Sequence, residues 1–338
     1  MDPSRIERFM SVMARNRPSQ KPQLWEDFPL AVRRRVELEL YGRTRPGWLD
    51  QPHVVDLSRV GMDGGGPPMR MSLLLRDAIA RALFLYGTYE ICGTRLMQAF
   101  LAPGMTFVDV GANIGYYSLL AARAVGEGGA VHAFEPNGPI RARLEENLDL
   151  NGLRAAGNVH VRAQAVARAS GEIRFYRSTT ADNSGLSSIL PGAGRAEEAE
   201  VVPCVSLDDF VAALPPGRAP GSRPIDLMKI DVEGAELEVL AGGSAVLARA
   251  DAPAIVFESL DVPAVTALLG PLGYGIRRLH YTLLGGLELI ELGRPFDGIF
   301  DAYEPPNFFA AKDDAVFERA VARANARHSA ARRLLGRL

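Results

Sequence analysis

Short apolar runs recur through the middle of the chain, and segments with helical patterning separate most of them. The runs are rich in aliphatic and β-branched residues, which is typical of strands buried on both faces of a parallel sheet. They lie at residues 106–110, 130–135, 159–164, 226–231 and 254–258. Because strands and helices alternate, the pattern predicts an α/β fold with a doubly wound, Rossmann-like sheet.

Two regions depart from this alternation and predict additional strands. Residues 171–176 and 200–205 resemble a pair of strands joined by a loop rich in Gly, Ser and Ala. Residues 273–279 and 287–292 flank two adjacent glycines, and this combination predicts an antiparallel hairpin. The sheet is therefore expected to be mostly parallel and to be closed by an antiparallel hairpin.

The two ends of the chain differ from this central body. Segments 4–13 and 24–41 at the N-terminal end and 313–338 at the C-terminal end have helical patterning, as does 73–85 at the start of the body. Residues 61–68 (GMDGGGPP) have the composition of a flexible linker. We therefore predict three parts in chain order: an N-terminal helical extension with its linker at 1–69, an α/β domain at 70–312 and a C-terminal helix at 313–338.

The composition indicates a globular protein of a reducing compartment. Hydrophobic residues make up 47% of the 338 residues, which is enough for a substantial core. Cys92 and Cys204 are far apart and lack metal-ligand spacing, so they indicate neither a disulfide framework nor a zinc site. The N-terminus lacks the pattern of a signal peptide, and no segment approaches the ~18 apolar residues of a membrane span. A cytoplasmic location is expected.

The distribution of charge bears on the class of substrate. Residues 61–311 carry a net charge of −9, whereas residues 1–60 carry +3 and residues 312–338 carry +4. An acidic body disfavours nucleic acid as the substrate, because phosphate binding requires a cationic surface. The basic C-terminal segment is better explained as a solvated helix face than as a surface for a partner.

The turn after the first strand of the body carries the most informative chemistry. The segment reads FVDVGANIG at 107–115, where Gly111 and Gly115 allow the backbone to turn tightly and to approach a ligand. The next strand reads AVHAFEP at 130–136 and ends on Glu135, which could accept two hydrogen bonds from a ribose diol. The two segments together predict a nucleoside-binding unit.

The spacing within the turn favours a cationic nucleoside. It reads D-x-G-x-N-x-G, so Asn113 replaces the second glycine of the dinucleotide fingerprint G-x-G-x-x-G, and Asp109 makes the turn acidic. An acidic turn repels a pyrophosphate and suits the sulfonium and ammonium groups of S-adenosylmethionine. Asp109 and Asn113 are expected to act on the methionyl end, directly or through water. Two alternatives stay open: Asp109 only caps the following helix, or NAD or another nucleotide is the ligand.

Carboxylates also cluster after the fourth strand, where residues 225–236 read IDLMKIDVEGAE. Strand ends in open α/β sheets face the ligand crevice, so Asp231 is expected to point there as a catalytic or cofactor-binding group. Lys229 lies two residues earlier on the same side of the strand, where it could orient Asp231 or an acceptor oxygen. Glu233 is either a catalytic candidate or part of the first turn of a helix over 232–240.

The remaining candidates are more scattered. Glu90 could meet the ammonium group of the cofactor or form a plain salt bridge. The adenine is expected near Gln164 and Ala165, at the end of the third strand. His280 could face the acceptor, although a lone histidine is more often structural, and Glu258 ends the fifth strand much as Asp231 ends the fourth. No Asp–Asn pair accompanies the carboxylates of the fourth strand, so no metal ligand is predicted.

Seven motifs in the same order resemble the FkbM-type family of S-adenosylmethionine-dependent methyltransferases. They span roughly residues 70–310 and read YGTYE, VDVGANIGYYSLLAA, VHAFEPN, ENLDLNGL, NSGLSS, LDD and KIDVEGAELEVL. The resemblance implies a class I methyltransferase fold, for which a closing antiparallel hairpin is typical. It also implies S-adenosylmethionine as the cofactor and a hydroxyl acceptor on a secondary metabolite, such as a polyketide, or on a sugar of a glycan or glycolipid. NSGLSS is expected to form a loop near this small-molecule or saccharide acceptor.

Two alternatives from other functional classes stay open. One is a nucleotide-dependent oxidoreductase, which the missing third glycine of the fingerprint and the closing hairpin disfavour. The other is a cofactor-binding partner subunit without catalysis, which the intact carboxylate cluster disfavours.

Overall fold

The computed structural model describes residues 46–57, 69–178, 187–191, 197–214, 224–259, 261–281, 286–293 and 307–335. The helices predicted at 4–13 and 24–41 and the linker predicted at 61–68 lie outside these ranges.

Strands and helices alternate along most of the described chain. In chain order the strands are β1 (Pro52–Asp56), β2 (Arg70–Leu74), β3 (Thr106–Val110), β4 (Ala130–Phe134), β5 (Val159–Arg162), β6 (Ala165–Val166), β7 (Gly171–Ser178), β8 (Glu197–Val205), β9 (Leu227–Ile230), β10 (Ala254–Glu258), β11 (Gly275–Tyr281), β12 (Leu287–Glu291) and β13 (Asn307–Ala311). The helices are α1 (Pro46–Leu49), α2 (Ala78–Tyr86), α3 (Ile91–Phe100), α4 (Tyr116–Val125), α5 (Gly138–Leu150), α6 (Leu153–Ala156), α7 (Leu207–Ala212), α8 (Glu236–Ala241), α9 (Ser244–Ala248), α10 (Val262–Leu269) and α11 (Asp314–Leu335).

An eight-stranded sheet forms the centre of the molecule, in the order β12-β11-β13-β10-β9-β3-β4-β5. Its strands β10, β9, β3, β4 and β5 pair in parallel, and each corresponds to one of the five apolar runs of the sequence. The predicted doubly wound, Rossmann-like α/β sheet is therefore confirmed.

The antiparallel end of the sheet contains a strand that the sequence pattern did not predict. β11 and β12 form the predicted hairpin. However, β13 lies between this hairpin and β10 and pairs antiparallel with both neighbours. The apolar run NFFAA at 307–311 carries the signal of this strand, but it stands just before the terminal helix and far in sequence from its partners. The hairpin therefore closes the sheet through β13 and not directly on the fifth parallel strand.

Two smaller sheets flank the central one. β6, β8 and β7 form a three-stranded sheet, so the two extra strands predicted near 171–176 and 200–205 are confirmed. β1 and β2 pair antiparallel and form a two-stranded sheet. β1 lies within the predicted helical extension, so that region is not wholly helical.

The helix predicted over 73–85 begins later than expected. Arg70–Leu74 is strand β2, and helix α2 starts at Ala78. Asp77 fixes this start, because one of its carboxylate oxygens accepts from the backbone amides of Ile79 at 2.9 Å and Ala80 at 3.3 Å. An Asp in this position satisfies amides that the first turn leaves without an intrahelical acceptor.

Hydrophobic clusters cover both faces of the central sheet, because successive side chains of a strand point to opposite faces. One cluster includes Phe107, Leu227 and Phe309, and the other includes Met228 and Phe308. The predicted C-terminal helix is confirmed as α11. Among the described helices, none is both long and apolar enough to cross a membrane.

The terminal helix also contacts the outer end of the sheet. The Oδ1 atom of Asn325 accepts from the backbone amide of Leu287 at 2.8 Å, and its Nδ2 atom donates to the carbonyl of Leu287 at 3.0 Å. Two hydrogen bonds thereby join helix α11 to the first residue of β12.

Candidate active site

The candidate site lies at one edge of the sheet, where four parallel strands end side by side. Val110 of β3 stands level with Phe134 of β4 and Ile230 of β9, and Ile230 stands level with Phe257 of β10. The residues that follow these positions therefore share one crevice, as expected for an open α/β sheet.

The turn after β3 requires glycine at its first position. Gly111 has φ = 82°, and a Cβ there would lie 1.9 Å from the carbonyl oxygen of Asp231. Gly115 also has a positive φ, and helix α4 begins directly after it. Asn113 adopts φ = 50°, a left-handed conformation that non-glycine residues rarely adopt. The turn thus brings the backbone of β3 against the loop after β9.

Glu135 lies beside this turn, as the sequence predicted. Its side chain is buried, Oε2 accepts from the amide of Asn113 at 2.9 Å, and Oε1 accepts from the amide of Asn137 at 2.9 Å. Burial raises the pKa of this carboxyl to about 7, although the two amides oppose the shift. Each carboxylate oxygen can accept more than one hydrogen bond, so the group retains capacity for a ligand.

Asp109 lies beneath the turn and is only 1% exposed. Its Oδ2 atom accepts from the hydroxyl of Ser118 at 2.6 Å, whereas Oδ1 has no hydrogen-bond partner among the described residues. Burial raises the pKa of this carboxyl. Asp109 is not the N-cap of helix α4, because that position is occupied by Gly115. Ser118 lies in the first turn of this helix, so Asp109 does contact the helix start, and a purely structural role stays open beside a ligand role.

Lys229 and Asp231 form the ion pair that the sequence suggested. The Nζ atom of Lys229 lies 2.7 Å from Oδ2 of Asp231 and 4.6 Å from the centre of the Tyr117 ring. Lys229 is 3% exposed. Burial opposes its charge, but the carboxylates around it, led by Asp231, hold the pKa of this ammonium above its usual range. The ion pair fixes the position of Oδ2 of Asp231.

Three carboxylates meet at this point, and the sequence did not predict their convergence. Glu90, Asp231 and Glu258 each offer an oxygen, and these oxygens lie within 4.8 Å of one another. The hydroxyl of Tyr117 donates to Oε2 of Glu90 at 2.7 Å. Burial and the charges of Asp231 and Glu90 raise the pKa of Glu258. The cluster makes this part of the crevice acidic, and the Lys229 ammonium offsets part of its negative charge.

Glu233 and Glu236 have different positions from those expected of a helix over 232–240. Helix α8 begins only at Glu236, and Glu233 lies in the preceding turn with φ = 54°. Glu233 is therefore not in the first helical turn. Glu236 is buried, and its Oε1 atom accepts from the amide of Gly234 at 3.0 Å, so it fixes this turn.

Three other candidates lie outside the carboxylate cluster, and the two expected near the adenine, Gln164 and Ala165, were not predicted to join it. Gln164 is half-buried between β5 and β6, and Ala165 is buried with Phe175 in the small three-stranded sheet. His280 lies on β11, three interstrand spacings or about 14 Å from β9. It also projects from the face of the sheet that Ile276 occupies, opposite the face of Lys229. We assign His280 no catalytic role.

Asn147 contributes to the site although no role was predicted for it. This fully buried residue of the ENLDLNGL motif accepts from the amide of Ser72 at 2.7 Å and donates to the carbonyl of Ile114 at 2.9 Å. It therefore ties the turn after β3 to β2. The ENLDLNGL motif had marked this segment, but the hydrogen-bond partners of Asn147 depend on the tertiary fold.

The first aspartate of the LDD pair, Asp208, has a structural function. Oδ1 of Asp208 accepts from the amide of Val246 at 2.8 Å, and Oδ2 accepts from the amide of Ala245 at 3.0 Å. Asp208 thus holds the first turn of helix α9 from a distant part of the chain.

A mostly parallel sheet with an acidic crevice at its carboxyl edge and an antiparallel closing end is the architecture of a class I, Rossmann-like methyltransferase. Comparison with known proteins agrees with this class. Residues 109–270 match the methyltransferase FkbM domain.

Three relatives have related sequences. The 31-O-demethyl-FK506 methyltransferase FkbM of Streptomyces tacrolimicus is 31% identical over 57% of this chain and 81% of its own length. The hexuronic acid methyltransferase AglP of Haloferax volcanii is 33% identical over 48% of this chain and 59% of its own length. The AMB antimetabolite synthetase AmbE of Pseudomonas aeruginosa is 35% identical over 42% of this chain, but the match spans only 8% of AmbE.

The chain belongs to the FkbM methyltransferase family, which confirms the resemblance drawn from its motifs. The match spans less than two thirds of AglP and a small part of AmbE. Membership favours a methyltransferase over the oxidoreductase alternative.

Proposed function

We propose that this chain is an S-adenosylmethionine-dependent O-methyltransferase that acts on a hydroxyl of a sugar or of a secondary metabolite. One observation carries the proposal. A buried carboxylate beside the glycine turn, Glu135, shares a crevice with the cluster of Glu90, Asp231 and Glu258. A nucleoside that bears positive charge at its other end fits this arrangement.

The residues of the crevice fit the cofactor. Glu135 would accept from the ribose diol, and the turn from Gly111 to Gly115 would pass close to the nucleoside. Two buried polar atoms at this edge, Oδ1 of Asp109 and Oδ1 of Asn137, have no partner among the described residues. Such acceptors suit a ligand rich in hydroxyl and ammonium donors. Glu90 would accept from the methionyl ammonium.

The reaction needs alignment and the removal of one proton. S-adenosylmethionine supplies a methyl group that its sulfonium already activates. The protein therefore has to hold donor and acceptor in line, and to accept the hydroxyl proton as the new bond forms. Asp231 is the candidate for this base, because Lys229 binds one of its oxygens and leaves the other available. Asp231 as a partner of the cofactor ammonium is the second possibility.

The names of two relatives support the choice of acceptor classes. AglP acts on a hexuronic acid, and FkbM of Streptomyces tacrolimicus acts on 31-O-demethyl-FK506. A sugar and a complex secondary metabolite are therefore the two acceptor classes that we propose.

Calorimetry and a transfer assay test this function. The purified chain should bind S-adenosylmethionine and give no heat with NAD. It should then move a labelled methyl group from the cofactor to a hexuronic acid glycoside or to 31-O-demethyl-FK506. Binding of NAD alone would contradict the proposal. Binding of S-adenosylmethionine with transfer to neither probe would contradict the acceptor classes and favour a silent partner subunit.

Catalysis should survive removal of divalent metals. Glu90, Asp231 and Glu258 form a ligand set that a hard cation would accept. However, the Lys229 ammonium already binds Asp231 at 2.7 Å. The ammonium takes one oxygen of Asp231 and offsets part of the negative charge, so the described residues supply fewer oxygen ligands than a divalent ion usually has.

The measurement compares methyl transfer before and after dialysis against EDTA. Equal rates are expected. Activity that disappears with EDTA and returns with Mg²⁺ or Mn²⁺ would make Asp231 a metal ligand instead.

A further inference from the structure

Two consecutive serines lie between the loops that follow β4 and β9. The Nδ2 atom of Asn137 donates to Oγ of Ser187 at 3.4 Å, and Oγ of Ser188 donates to the carbonyl of Val232 at 3.0 Å. We call Ser187 and Ser188 the serine bridge. They end the NSGLSS motif, whose first four residues lie outside the described ranges.

The serine bridge connects the two halves of the proposed cofactor site. Asn137 lies two residues after Glu135, and Val232 directly follows Asp231. β4 and β9 both pair with β3, so their ends are two interstrand spacings or about 10 Å apart. The serine bridge connects the loops after β4 and β9 at the carboxyl edge of the sheet, where the turn after β3 also lies.

The bridge has its own support in the three-stranded sheet. The amide of Ser188 donates to the carbonyl of Tyr176 at 3.1 Å, and the amide of Tyr176 donates to the carbonyl of Ser188 at 2.8 Å. The amide of Ser178 donates to Oγ of Ser187 at 3.1 Å. Ser188 is 6% exposed. Strand β7 therefore fixes the bridge independently of any ligand.

The loop beyond Asp231 needs such external support. Glu233 and Gly234 have φ values of 54° and 96°, and the first of these is unfavourable for a residue with a side chain. At its start, the Asp231 carbonyl occupies the space that a Cβ at Gly111 would fill. The hydrogen bond from Ser188 to Val232 gives the loop a second contact, one residue after this one.

We propose that Ser188 is a positioning residue, which holds Asp231 in place through the Val232 carbonyl, while Ser187 supports Glu135 through Asn137. The inference rests on the proposed function, because it assigns the ribose to Glu135 and the sulfonium end to Asp231. On this basis the serine bridge sets the distance between the nucleoside site and the methyl group, a distance on which in-line transfer depends.

Comparison of two ligands tests the proposal without an acceptor. S-adenosylmethionine carries the sulfonium charge, whereas S-adenosylhomocysteine lacks it and shares the nucleoside. Ser188→Ala should weaken binding of S-adenosylmethionine roughly three- to tenfold, the effect of losing one neutral hydrogen bond, with little change for S-adenosylhomocysteine. Ser187→Ala should weaken both ligands equally. Calorimetry gives both dissociation constants.

Two further variants separate positioning from a general loss of structure. Ser188→Thr keeps the hydroxyl and should restore the ratio of the two affinities. Ser206→Ala removes the N-cap of helix α7, away from the crevice, and should lower the melting temperature with no change in the ratio. Equal weakening of both ligands by Ser188→Ala would overturn the positioning role. A wild-type chain that binds neither ligand would contradict the proposed function itself.

Discussion

Asp231→Asn should lower turnover by roughly 10²–10⁴-fold and weaken binding of S-adenosylmethionine by at most about tenfold. The substitution keeps the shape of the side chain and most of its hydrogen bonding, but it removes the base that would accept the hydroxyl proton. Lys229 binds Oδ2 of Asp231 at 2.7 Å, so the free oxygen of the wild-type residue has a defined direction. Initial rates and calorimetry on the same preparation measure the two effects.

The same experiment distinguishes the two roles of Asp231. If the carboxylate pairs with the ammonium group of the cofactor, affinity should fall first and turnover should follow it. Asp149→Asn changes an exposed aspartate of helix α5 and serves as the matched control, with no expected effect on either quantity. If Asp231→Asn resembles this control, the assignment is wrong and Glu233 or Glu258 becomes the next candidate.

Replacement of Glu135 should weaken cofactor binding at least about tenfold. Hydrogen bonds to a charged group contribute roughly 1.5–3 kcal/mol each, and the ribose diol would form two. Glu135→Ala removes the whole carboxylate, while Glu135→Gln keeps its size and removes its charge. Glu145→Gln, on the exposed side of helix α5, is the control. Unchanged affinity in a folded Glu135 variant would rule out this residue as the ribose ligand.

The raised pKa of Glu135 adds a pH dependence to this prediction. Because the pKa of the buried carboxyl is about 7, the group is largely protonated at pH 6 and largely ionised at pH 8. Ribose hydroxyls donate more strongly to the ionised form, so affinity should increase as pH rises through 7. Glu135→Gln should remove most of this increase. A wild-type affinity that is constant between pH 6 and pH 8 would contradict the prediction.

Local patterns identified the fold because its main strands are buried on both faces. The runs that became β3, β4 and β9 are continuous and apolar, and each is followed by a residue suited to a ligand crevice. β13 was not predicted, because its apolar run is short and the strands with which it pairs, β10 and β11, are distant in sequence. β2 was assigned to a helix because its apolar residues lead directly into the true helix α2.

The site was predictable where its residues follow strands in sequence. The positions of Glu135 and Asp231 at the carboxyl edge were predicted in this way, as was the proximity of Lys229 to Asp231, while the roles of these residues stay predictions. The convergence of Glu90 with Glu258 was not predictable, because only the tertiary fold brings these distant segments together. Asn147 was part of a recognised motif, but its contacts with β2 and the turn after β3 depend on the packing of helix α5.

The side chain of Asn325 has a consequence for the behaviour of the protein in solution. Its amide pairs with both backbone polar groups of Leu287, much as the backbone of a neighbouring strand would. An open sheet edge is a template on which other chains can add strands and aggregate. By occupying the first residue of β12, the C-terminal helix protects part of this edge. The C-terminal helix thus blocks strand addition at this end of the sheet edge.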